Sequence, residues 1–191
     1  MAAANGSVTS RGNSSSSTSG LAIETYIVSL DSPLGLIEIR ATTQHVSGIR
    51  FIDSAPSGVW PSPLTDNCKT QLTEYFDGQR TRFDLPLQLA GTGFQQAVWQ
   101  QLLAIPFGEA ISYRQLADRV GNPKATRAVG AANRVNPVVI VVPCHRVIGS
   151  DRSLTGFAGR VPLKAWLLTH EGVRFSDAVA GEDRQLGLFD G

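Results

Sequence analysis

Residues 138–147 have the sequence Val-Val-Ile-Val-Val-Pro-Cys-His-Arg-Val. The five leading residues are apolar and β-branched, which predicts a buried, extended segment. Cys144 follows this run, with His145 and Arg146 beside it. Because a neighbouring imidazole and guanidinium can lower the pKa of a thiol, the pattern favours a nucleophilic cysteine. The alternative is a cysteine that only fills a small apolar space in the core.

Two helices are predicted upstream of this segment. Residues 94–103 have apolar side chains at helical spacing. Ser112-Tyr113-Arg114-Gln115 has the pattern of a capping box, with serine as the cap and glutamine at the third helical position. This second helix is expected to run to Val120 and to end at Gly121.

A third helix is expected to follow directly. Asn122 would cap it and Pro123 would be its first residue, and it would run to about Ala132. Its other small residues, Ala125, Ala128, Gly130 and Ala131, would let it approach a groove or another helix closely. Two short helices joined at Gly121-Asn122 form a helix-turn-helix, a pattern found in DNA-binding proteins and in many plain α-hairpins.

The first half of the chain predicts antiparallel strands followed by a helix. Strand-like patterns occur at residues 25–28, 36–39 and 48–52, with a turn at residues 32–35. After a Pro- and Ser-rich loop at residues 54–64, a helix is expected over Asn67–Phe76, stopped by Asp77-Gly78. Residues 82–87 are a candidate for one more strand, and residues 88–93 for a linker.

The composition divides the chain into four parts, and the fold class is α+β with two domains. Residues 1–20 are rich in Ser, Gly and Ala and predict a disordered tail. We expect an N-terminal α/β domain at residues 21–90 and a C-terminal DNA-binding and catalytic domain at residues 91–175. Residues 176–191 predict a flexible tail.

The composition also limits the class of protein. No stretch of the 191 residues has the length and polarity of a transmembrane helix, and the N-terminus lacks the apolar segment of a secretory signal. We therefore expect a cytoplasmic protein without a membrane partner, in which Cys68 and Cys144 stay reduced. Three histidines and two cysteines show no zinc-binding spacing, so no metal is expected.

The net charge of +1 hides an uneven distribution. Residues 111–164 contain nine Lys and Arg against two Asp and Glu, whereas residues 21–110 contain five against nine. One basic region in a near-neutral chain indicates a surface that binds a polyanion such as a nucleic acid. The alternative is an unevenly solvated surface.

Five segments occur together and in order: 107–113 (Phe-Gly-Glu-Ala-Ile-Ser-Tyr), 121–130 (Gly-Asn-Pro-Lys-Ala-Thr-Arg-Ala-Val-Gly), 133–137 (Asn-Arg-Val-Asn-Pro), 143–147 (Pro-Cys-His-Arg-Val) and 164–172 (Lys-Ala-Trp-Leu-Leu-Thr-His-Glu-Gly). With them the chain resembles the O⁶-alkylguanine-DNA alkyltransferase family, bacterial type. The resemblance is dense over residues 94–173 and weak before them. It implies a ribonuclease-H-like N-terminal domain and a mostly helical C-terminal domain with a winged-helix-like helix-turn-helix.

The resemblance implies direct reversal of DNA damage. Cys144 would take a methyl or other alkyl group from O⁶-alkylguanine irreversibly, so each molecule would act once as a suicide cysteine S-methyltransferase. His145 would act as the base through a water, and Glu171 would orient the imidazole. Tyr113 would promote rotation of the target nucleotide and donate a hydrogen bond to the base. Asn136 would tie the helix-turn-helix to the active-site segment. No cofactor is implied, because the DNA is the alkyl donor.

The same resemblance implies duplex DNA as the partner, bound at the minor groove with the damaged base flipped out. Arg127 matches the arginine finger that fills the gap left by the base. The other implied DNA-binding residues are Tyr113, Ala125, Thr126, Ala128, Ala131 and Arg134. O⁴-Alkylthymine is a second candidate substrate, which the sequence leaves open.

The base pocket is expected to include Val147, Phe157, Ala158 and Gly159. Carbonyl groups near Cys144 and Val147 would accept the exocyclic amine of guanine. Some family members carry Tyr-Ser-Gly where this chain has Phe-Ala-Gly, so the serine hydroxyl that supports the guanine oxygen is missing here. The backbone N–H of Ala158 is expected to take its place.

The C-terminus carries a second short pattern. Gln185, Leu186, Leu188 and Phe189 resemble the peptide with which bacterial proteins bind the DNA polymerase sliding clamp. Leu188 and Phe189 would be the anchors and Gln185 a polar contact. The alternative is a tail without a partner, because such short motifs also arise by chance.

Two other functions compete with alkyl transfer. A non-catalytic helix-turn-helix protein that binds DNA or senses damage would not need Cys144. A cysteine hydrolase would use the Cys-His pair, but the basic helix-turn-helix would then have no role. Neither accounts for Tyr113, Arg127, Asn136 and Glu171 together.

Overall fold

Three antiparallel strands form the sheet of the N-terminal half. The computed structural model describes residues 25–157 and 160–179. Its first strands are β1 (Tyr26–Ser32), β2 (Gly35–Ala41) and β3 (Val46–Phe51), in the order β1-β2-β3. The three predicted strands and the turn between the first two are confirmed. Gly35 ends that turn with a φ of 96°, a conformation that glycine adopts without strain.

Helix α1 (Pro63–Phe76) packs against this sheet. It begins four residues before the predicted Asn67, within the segment expected to be a loop. The Ser62 side chain accepts a hydrogen bond from Thr65 N, and the Thr65 hydroxyl accepts one from Ser62 N at 2.8 Å. The residue at the third helical position is threonine rather than the usual Glu or Gln, so the sequence alone does not reveal this capping box. The predicted stop at Asp77-Gly78 is confirmed.

The prediction of a strand at residues 82–87 is wrong. In the described chain this segment reaches the sheet only at its end, where Val46 N donates to Pro86 O at 2.8 Å and Leu87 bridges to Val46. Pro86 has no backbone N–H to donate, so it cannot continue a ladder of strand hydrogen bonds. The chain therefore passes along the sheet without forming a strand.

Three helices open the C-terminal half: α2 (Gly93–Leu103), α3 (Tyr113–Arg119) and α4 (Thr126–Arg134). The predicted helix at residues 94–103 is confirmed. The predicted capping box of α3 is also confirmed, because Ser112 Oγ accepts from Gln115 N at 3.1 Å and the Gln115 side chain accepts from Ser112 N at 2.7 Å. This cap fixes the start of α3 and therefore the position of Tyr113, the first residue of the helix.

Helix α4 begins three residues later than predicted. Asn122 and Pro123 belong instead to a turn, in which Ala125 N donates to Asn122 O at 2.9 Å. The fixed φ of proline suits a turn as well as the first turn of a helix, so the same dipeptide fits both structures. Helices α3 and α4 nevertheless pack together as the predicted helix-turn-helix.

The apolar run at residues 138–142 is buried as predicted but is not extended throughout. Val138 pairs with Ile49 of β3, and Val139 N donates to Ile49 O at 3.0 Å. The chain then reverses, with Val142 N donating to Val138 O at 2.9 Å. Ile140 lies in this turn with a φ of 72°, which is strained for a β-branched residue. The run therefore joins the two halves and turns the chain toward Cys144.

Short elements complete the C-terminal half. A 3₁₀ turn at Cys144–Arg146 is followed by β5 (Val147–Ile148), which pairs in parallel with β4 (Ile111–Ser112). Strand β6 (Ser153–Leu154) pairs in parallel with β7 (Ser176–Val179), and helix α5 (Val161–His170) lies between them in sequence. The first four residues of the predicted flexible tail 176–191 thus form a strand. The predicted disordered tail 1–20 lies outside the described residues.

One apolar core extends through both halves. Side chains of the N-terminal sheet and α1 belong to the same buried cluster as those of α2, α3 and the 138–142 turn. Trp99 joins α2 to α4 by donating its indole N–H to Ala132 O at 3.0 Å. Among the described residues, no helix is long and apolar enough to span a membrane. The shared core holds the cysteine turn between the sheet and the helices.

The Ser62 cap offers a test of this architecture. Ser62→Ala should destabilise the protein by about 1 kcal/mol, because the first turn of α1 loses its side-chain acceptor. Urea unfolding monitored by circular dichroism would measure this change. Ser57→Ala, at an exposed position before the helix, is the control and should leave the midpoint unchanged. Equal midpoints for the two variants would contradict the role of the cap.

Candidate active site

Cys144 lies at the start of the 3₁₀ turn and is only 6% exposed. Asn136, two residues after α4, donates its side-chain amide to Val142 O at 2.7 Å and to Cys144 Sγ at 3.2 Å. Its side-chain oxygen accepts from Val138 N at 3.0 Å. The amide of Asn136 therefore holds together both ends of the 138–142 turn and contacts the sulfur.

His145 and Glu171 form a buried pair behind the thiol. His145 Nε2 lies 2.8 Å from Glu171 Oε1, and both side chains are completely buried. Because a carboxylate can only accept, Nε2 carries the proton of the neutral imidazole. Nδ1 is then the basic nitrogen. It is buried and has no hydrogen-bond partner among the described residues.

Two side chains that were not predicted to contact Glu171 complete its surroundings. Arg146 donates Nε to Oε2 at 2.7 Å and Nη2 to Oε1 at 2.9 Å, and its Nη1 donates to Ile105 O at 2.6 Å. The Tyr75 hydroxyl, from α1, donates to Oε1 at 2.8 Å. Arg146 is visible in the cysteine motif, but nothing in the sequence relates Tyr75 to a residue 96 positions away.

The charges at this pair are set by burial and by hydrogen bonds. Burial alone raises the pKa of Glu171, but the hydrogen bonds and charges of His145 and Arg146 outweigh it and lower the pKa to about 2. Burial lowers the pKa of His145, and the hydrogen bond to Glu171 opposes this shift. Glu171 is therefore an anion and His145 a neutral imidazole at neutral pH.

The expectation of a lowered thiol pKa is wrong for this structure. Burial raises the pKa of Cys144, against opposing effects of the Asn136 hydrogen bond and the Lys164 charge. The guanidinium of Arg146, which was expected to act on the thiol, is bound to Glu171 instead. Sequence proximity to a cation does not ensure that the cation faces the sulfur.

Lys164 is the cation that does act on the thiol, because its charge lowers the pKa of Cys144; it was not among the predicted site residues. It is 1% exposed, and its Nζ donates to Val147 O at 2.6 Å and Thr155 O at 2.7 Å. Burial lowers its pKa to about 8, an effect that the charge of a Cys144 thiolate would partly offset. Nζ also lies 5.6 Å from the centre of the Tyr113 ring. Lysine is rarely buried in proteins, so the sequence gives no sign of this position.

Tyr113 forms one wall of a cavity of about 500 Å³ that reaches the thiol. Its hydroxyl donates to Thr155 O at 3.2 Å, and burial raises its pKa. The cavity also brings together most of the predicted DNA-binding residues with the cysteine; its lining includes Thr126, Arg127, Ala131, Arg134, Cys144 and Phe157. A larger cavity of about 840 Å³ lies beside residues 81–87 and is not lined by Cys144.

The remaining predicted residues lie in several places. Ala125 and Ala128 belong to the start of α4 but do not line the cavity. Val147 is fully buried, and its carbonyl accepts from Lys164. Ala158 and Gly159 lie outside the described residues. Within the described ranges, no three His, Cys, Asp or Glu residues are grouped so that they could hold a metal ion.

The fold and the site together define a class of protein. A helix-turn-helix lies over a cavity, and a buried cysteine with an adjacent histidine–glutamate pair lies at the bottom of that cavity. Such an arrangement combines a nucleophilic thiol with a helix pair of the nucleic-acid-binding kind.

Comparison with known proteins gives the family. Residues 24–89 match the ribonuclease-like domain of 6-O-methylguanine DNA methyltransferase, and residues 93–173 match its DNA binding domain. The methylated-DNA–protein-cysteine methyltransferase of Mycobacterium tuberculosis (strain ATCC 25618 / H37Rv) is 44% identical over 150 residues, which are 76% of this chain and 91% of the relative. The constitutive enzyme of that name from Bacillus subtilis (strain 168) is 51% identical over 163 residues, covering 80% and 98%.

Solved structures agree with these matches. The crystal structure of the Mycobacterium tuberculosis O⁶-methylguanine methyltransferase has a TM-score of 0.71 and 40% identity, covering 78% of this chain and 93% of that chain. The crystal structure of the same organism's OGT in complex with DNA has a TM-score of 0.69 and 43% identity, covering 75% and 90%. The chain therefore belongs to the 6-O-methylguanine DNA methyltransferase family. The predicted α+β fold class is confirmed.

The low pKa of Glu171 predicts how stability depends on pH. A carboxyl group whose pKa falls from 4.5 to about 2 on folding stabilises the folded state above pH 4.5, and this stabilisation is lost as the pH falls toward 2. Glu171→Gln removes it and leaves Arg146 buried without its anion, which should cost about 3 kcal/mol at pH 7.

Urea midpoints measured between pH 7 and pH 3 would test this. The difference in urea midpoint between wild type and Glu171→Gln should be largest at neutral pH and should become smaller below pH 4.5. Glu74→Gln, which breaks the partly exposed ion pair with Arg80, is the control and should change the midpoint little at any pH. A difference that is independent of pH would mean that the Glu171 charge does not stabilise the fold.

Proposed function

We propose that this chain repairs O⁶-alkylguanine in duplex DNA by transferring the alkyl group irreversibly to its own Cys144. The observation that carries the proposal is the cavity that leads from the helix-turn-helix, between Tyr113 and Arg127, to the buried sulfur. The relatives named as methylated-DNA–protein-cysteine methyltransferases, and the one solved in complex with DNA, support it.

The transfer is a displacement at saturated carbon. The Cys144 sulfur forms a bond to the alkyl carbon, the bond between that carbon and the guanine oxygen breaks, and the base takes up a proton. His145 Nδ1, basic and unpaired among the described residues, accepts the thiol proton through a water. Glu171 keeps the imidazole in this tautomer by accepting from Nε2. A thioether has no good leaving group, so each molecule reacts once.

A hydrogen bond from Tyr113 would help guanine to leave, and the proton that the base takes up would come from water. Tyr113 donates to Thr155 O in the free protein, and we propose that it exchanges this bond for one to the ring of the bound base. Lys164 binds the same carbonyl and is mostly charged at pH 7, because its pKa is about 8. Its charge favours the thiolate and offsets part of the effect of burial.

DNA binds across the helix-turn-helix, at the minor groove, with the damaged nucleotide rotated into the cavity. Arg127 is exposed at the rim and fills the space that the base leaves. Thr126, Ala128, Ala131 and Arg134 are exposed on the same helix. The small side chains of the first three allow close approach, and Arg134 adds positive charge. The same proposal includes two further points. Ala158 and Gly159 line the base pocket, and O⁴-alkylthymine is a second substrate.

The broader organisation follows from this function. We propose a division into an N-terminal domain at residues 21–90 and a catalytic, DNA-binding domain at residues 91–175, with tails at either end. A cytoplasmic location at the nucleoid fits a substrate that is chromosomal DNA. The alternative of a non-catalytic DNA-binding or damage-sensing protein is not favoured, because the relatives are named as methylated-DNA–protein-cysteine methyltransferases.

The test of alkyl transfer is a mass measurement. The protein is incubated with duplex DNA that contains one O⁶-methylguanine, and the intact protein and its peptides are then weighed. We expect a gain of one methylene unit on the Cys144 peptide, saturating at one per molecule. Cys144→Ser should gain nothing while it still binds DNA. Binding without any mass gain in the wild type would favour the damage-sensing protein.

We also propose that the C-terminal peptide binds the DNA polymerase sliding clamp. Gln185, Leu186, Leu188 and Phe189 lie outside the described residues, so the support is the sequence pattern and the Gly- and acid-rich segment around it. Such a contact would bring the repair protein to newly replicated DNA.

A pull-down with purified clamp tests this contact. The intact chain should be retained, whereas a chain that ends at Gly181 and a Leu188→Ala/Phe189→Ala variant should be lost. Both variants should transfer methyl groups at the wild-type rate, because the changes lie outside the active site. Equal retention of all three proteins would exclude the peptide as a clamp ligand.

A further inference from the structure

A second recess adjoins Cys144 on the side away from Tyr113. It measures about 260 Å³, and Cys144, Arg134 and Phe157 line it as they line the first cavity. Its other wall belongs to the N-terminal sheet, because Arg50 and Phe51 of β3 line it as well. The ring of Phe51 lies 6.5 Å from that of Phe157. The opening above the thiol is thus bounded by α4 on one side and by β3 on the other.

Arg50 is held in place at this opening by a buried carboxylate. Glu38 of β2 is only 3% exposed, and its Oε1 accepts from Arg50 Nε at 2.8 Å and from Arg40 Nε at 2.5 Å. Burial raises the pKa of Glu38, but the hydrogen bonds of the two arginines outweigh it and lower the pKa. Two guanidinium groups on one carboxylate leave one positive charge in excess. The reaction proposed above gives this cluster no role.

The other charged groups at the opening do not cancel this excess. Arg160 also lines the recess, but its Nη2 lies 3.2 Å from Asp53 Oδ1, so its charge is offset. Arg134 is exposed at the end of α4 and carries a second positive charge. Both sides of the opening are therefore positive, although residues 21–110 as a whole are acidic.

A base in the cavity remains bonded to its own backbone. The phosphates on either side of that nucleotide must therefore lie at the opening, within reach of whatever groups bound it. We propose that Arg50 is a phosphate contact contributed by the N-terminal sheet, which binds the strand that carries the flipped nucleotide from the side opposite α4. The inference rests on the proposed function. It extends the DNA-binding surface beyond the helix-turn-helix, and it gives Glu38 the role of orienting Arg50.

The structure provides a matched pair of variants for the test. Arg50 and Arg40 bind the same Glu38 oxygen, but only Arg50 lines the recess. Arg50→Gln and Arg40→Gln therefore remove the same charge from the same cluster. Binding to duplex DNA that contains one O⁶-methylguanine is measured over a series of salt concentrations, with Cys144→Ser in every protein to prevent reaction.

The expected result is specific to Arg50. Arg50→Gln should weaken binding about three- to tenfold at low salt, and it should reduce the slope of log K against log salt by about 0.9, the value for one phosphate contact. Arg40→Gln should reduce the slope clearly less than Arg50→Gln, because it removes the same charge but not the group at the recess, and Arg50→Lys should recover most of the wild-type slope. Equal slopes for Arg50→Gln and Arg40→Gln would overturn the proposal.

A second measurement separates this inference from the proposed function. With Cys144 intact, methyl transfer is measured from the free base O⁶-methylguanine, which has no phosphate, and from the duplex at subsaturating concentration. Arg50→Gln should match wild type on the free base and should be slower on the duplex. An equal loss on both substrates would mean that Arg50 supports the pocket rather than a phosphate. No transfer by wild type from either substrate would refute the proposed function. The salt series would still show whether Arg50 contacts a phosphate.

Discussion

The structure depends on the hydrogen bonds that Glu171 accepts in the interior. A buried carboxylate is costly unless every lone pair has a donor, and this one accepts from His145, Arg146 and Tyr75. The donors come from both halves of the chain, since Tyr75 lies in α1 of the N-terminal half and the other two lie in the cysteine turn. The same anion therefore fixes the tautomer of the histidine and attaches the N-terminal half to the site.

Burial of the thiol opposes its activation, and the surrounding groups reduce this conflict. A dry environment raises the pKa of Cys144, yet it strengthens each charge that acts on the sulfur. Lys164 is such a charge, because it lowers the pKa of Cys144, and it is itself held by two carbonyl groups, of Val147 and Thr155. Thr155 also lines the cavity. Because a bound base would replace the water at the opening, its arrival would increase the influence of Lys164 on the thiol.

The sequence predicts features that are decided locally, and fails where distant residues decide. The strands, the turn at Gly35 and the capping box at Ser112 follow from neighbouring residues, so they were predictable. The start of α4 was not, because Asn122-Pro123 fits a turn as well as a helix cap. The burial of Lys164 and the contact between Tyr75 and Glu171 depend on tertiary packing, for which a single sequence has no signal. The cysteine, its histidine and the glutamate could be proposed only through the ordered motifs of a family.

A raised thiol pKa is an advantage in a protein that reacts once. In the proposed reaction an oxidised or wrongly alkylated Cys144 cannot be restored by turnover, so each side reaction removes a molecule permanently. A thiol that is 6% exposed and mostly protonated reacts slowly with dissolved oxidants and electrophiles, because the thiolate is the reactive form. Reactivity is then best supplied by the substrate itself, which brings its alkyl carbon to the sulfur and excludes water from the cavity. The strained turn at Ile140 and the amide of Asn136 hold the sulfur at the place where a base can reach it. The same burial that slows the free thiol thus confines its chemistry to a base delivered through the opening between α4 and β3.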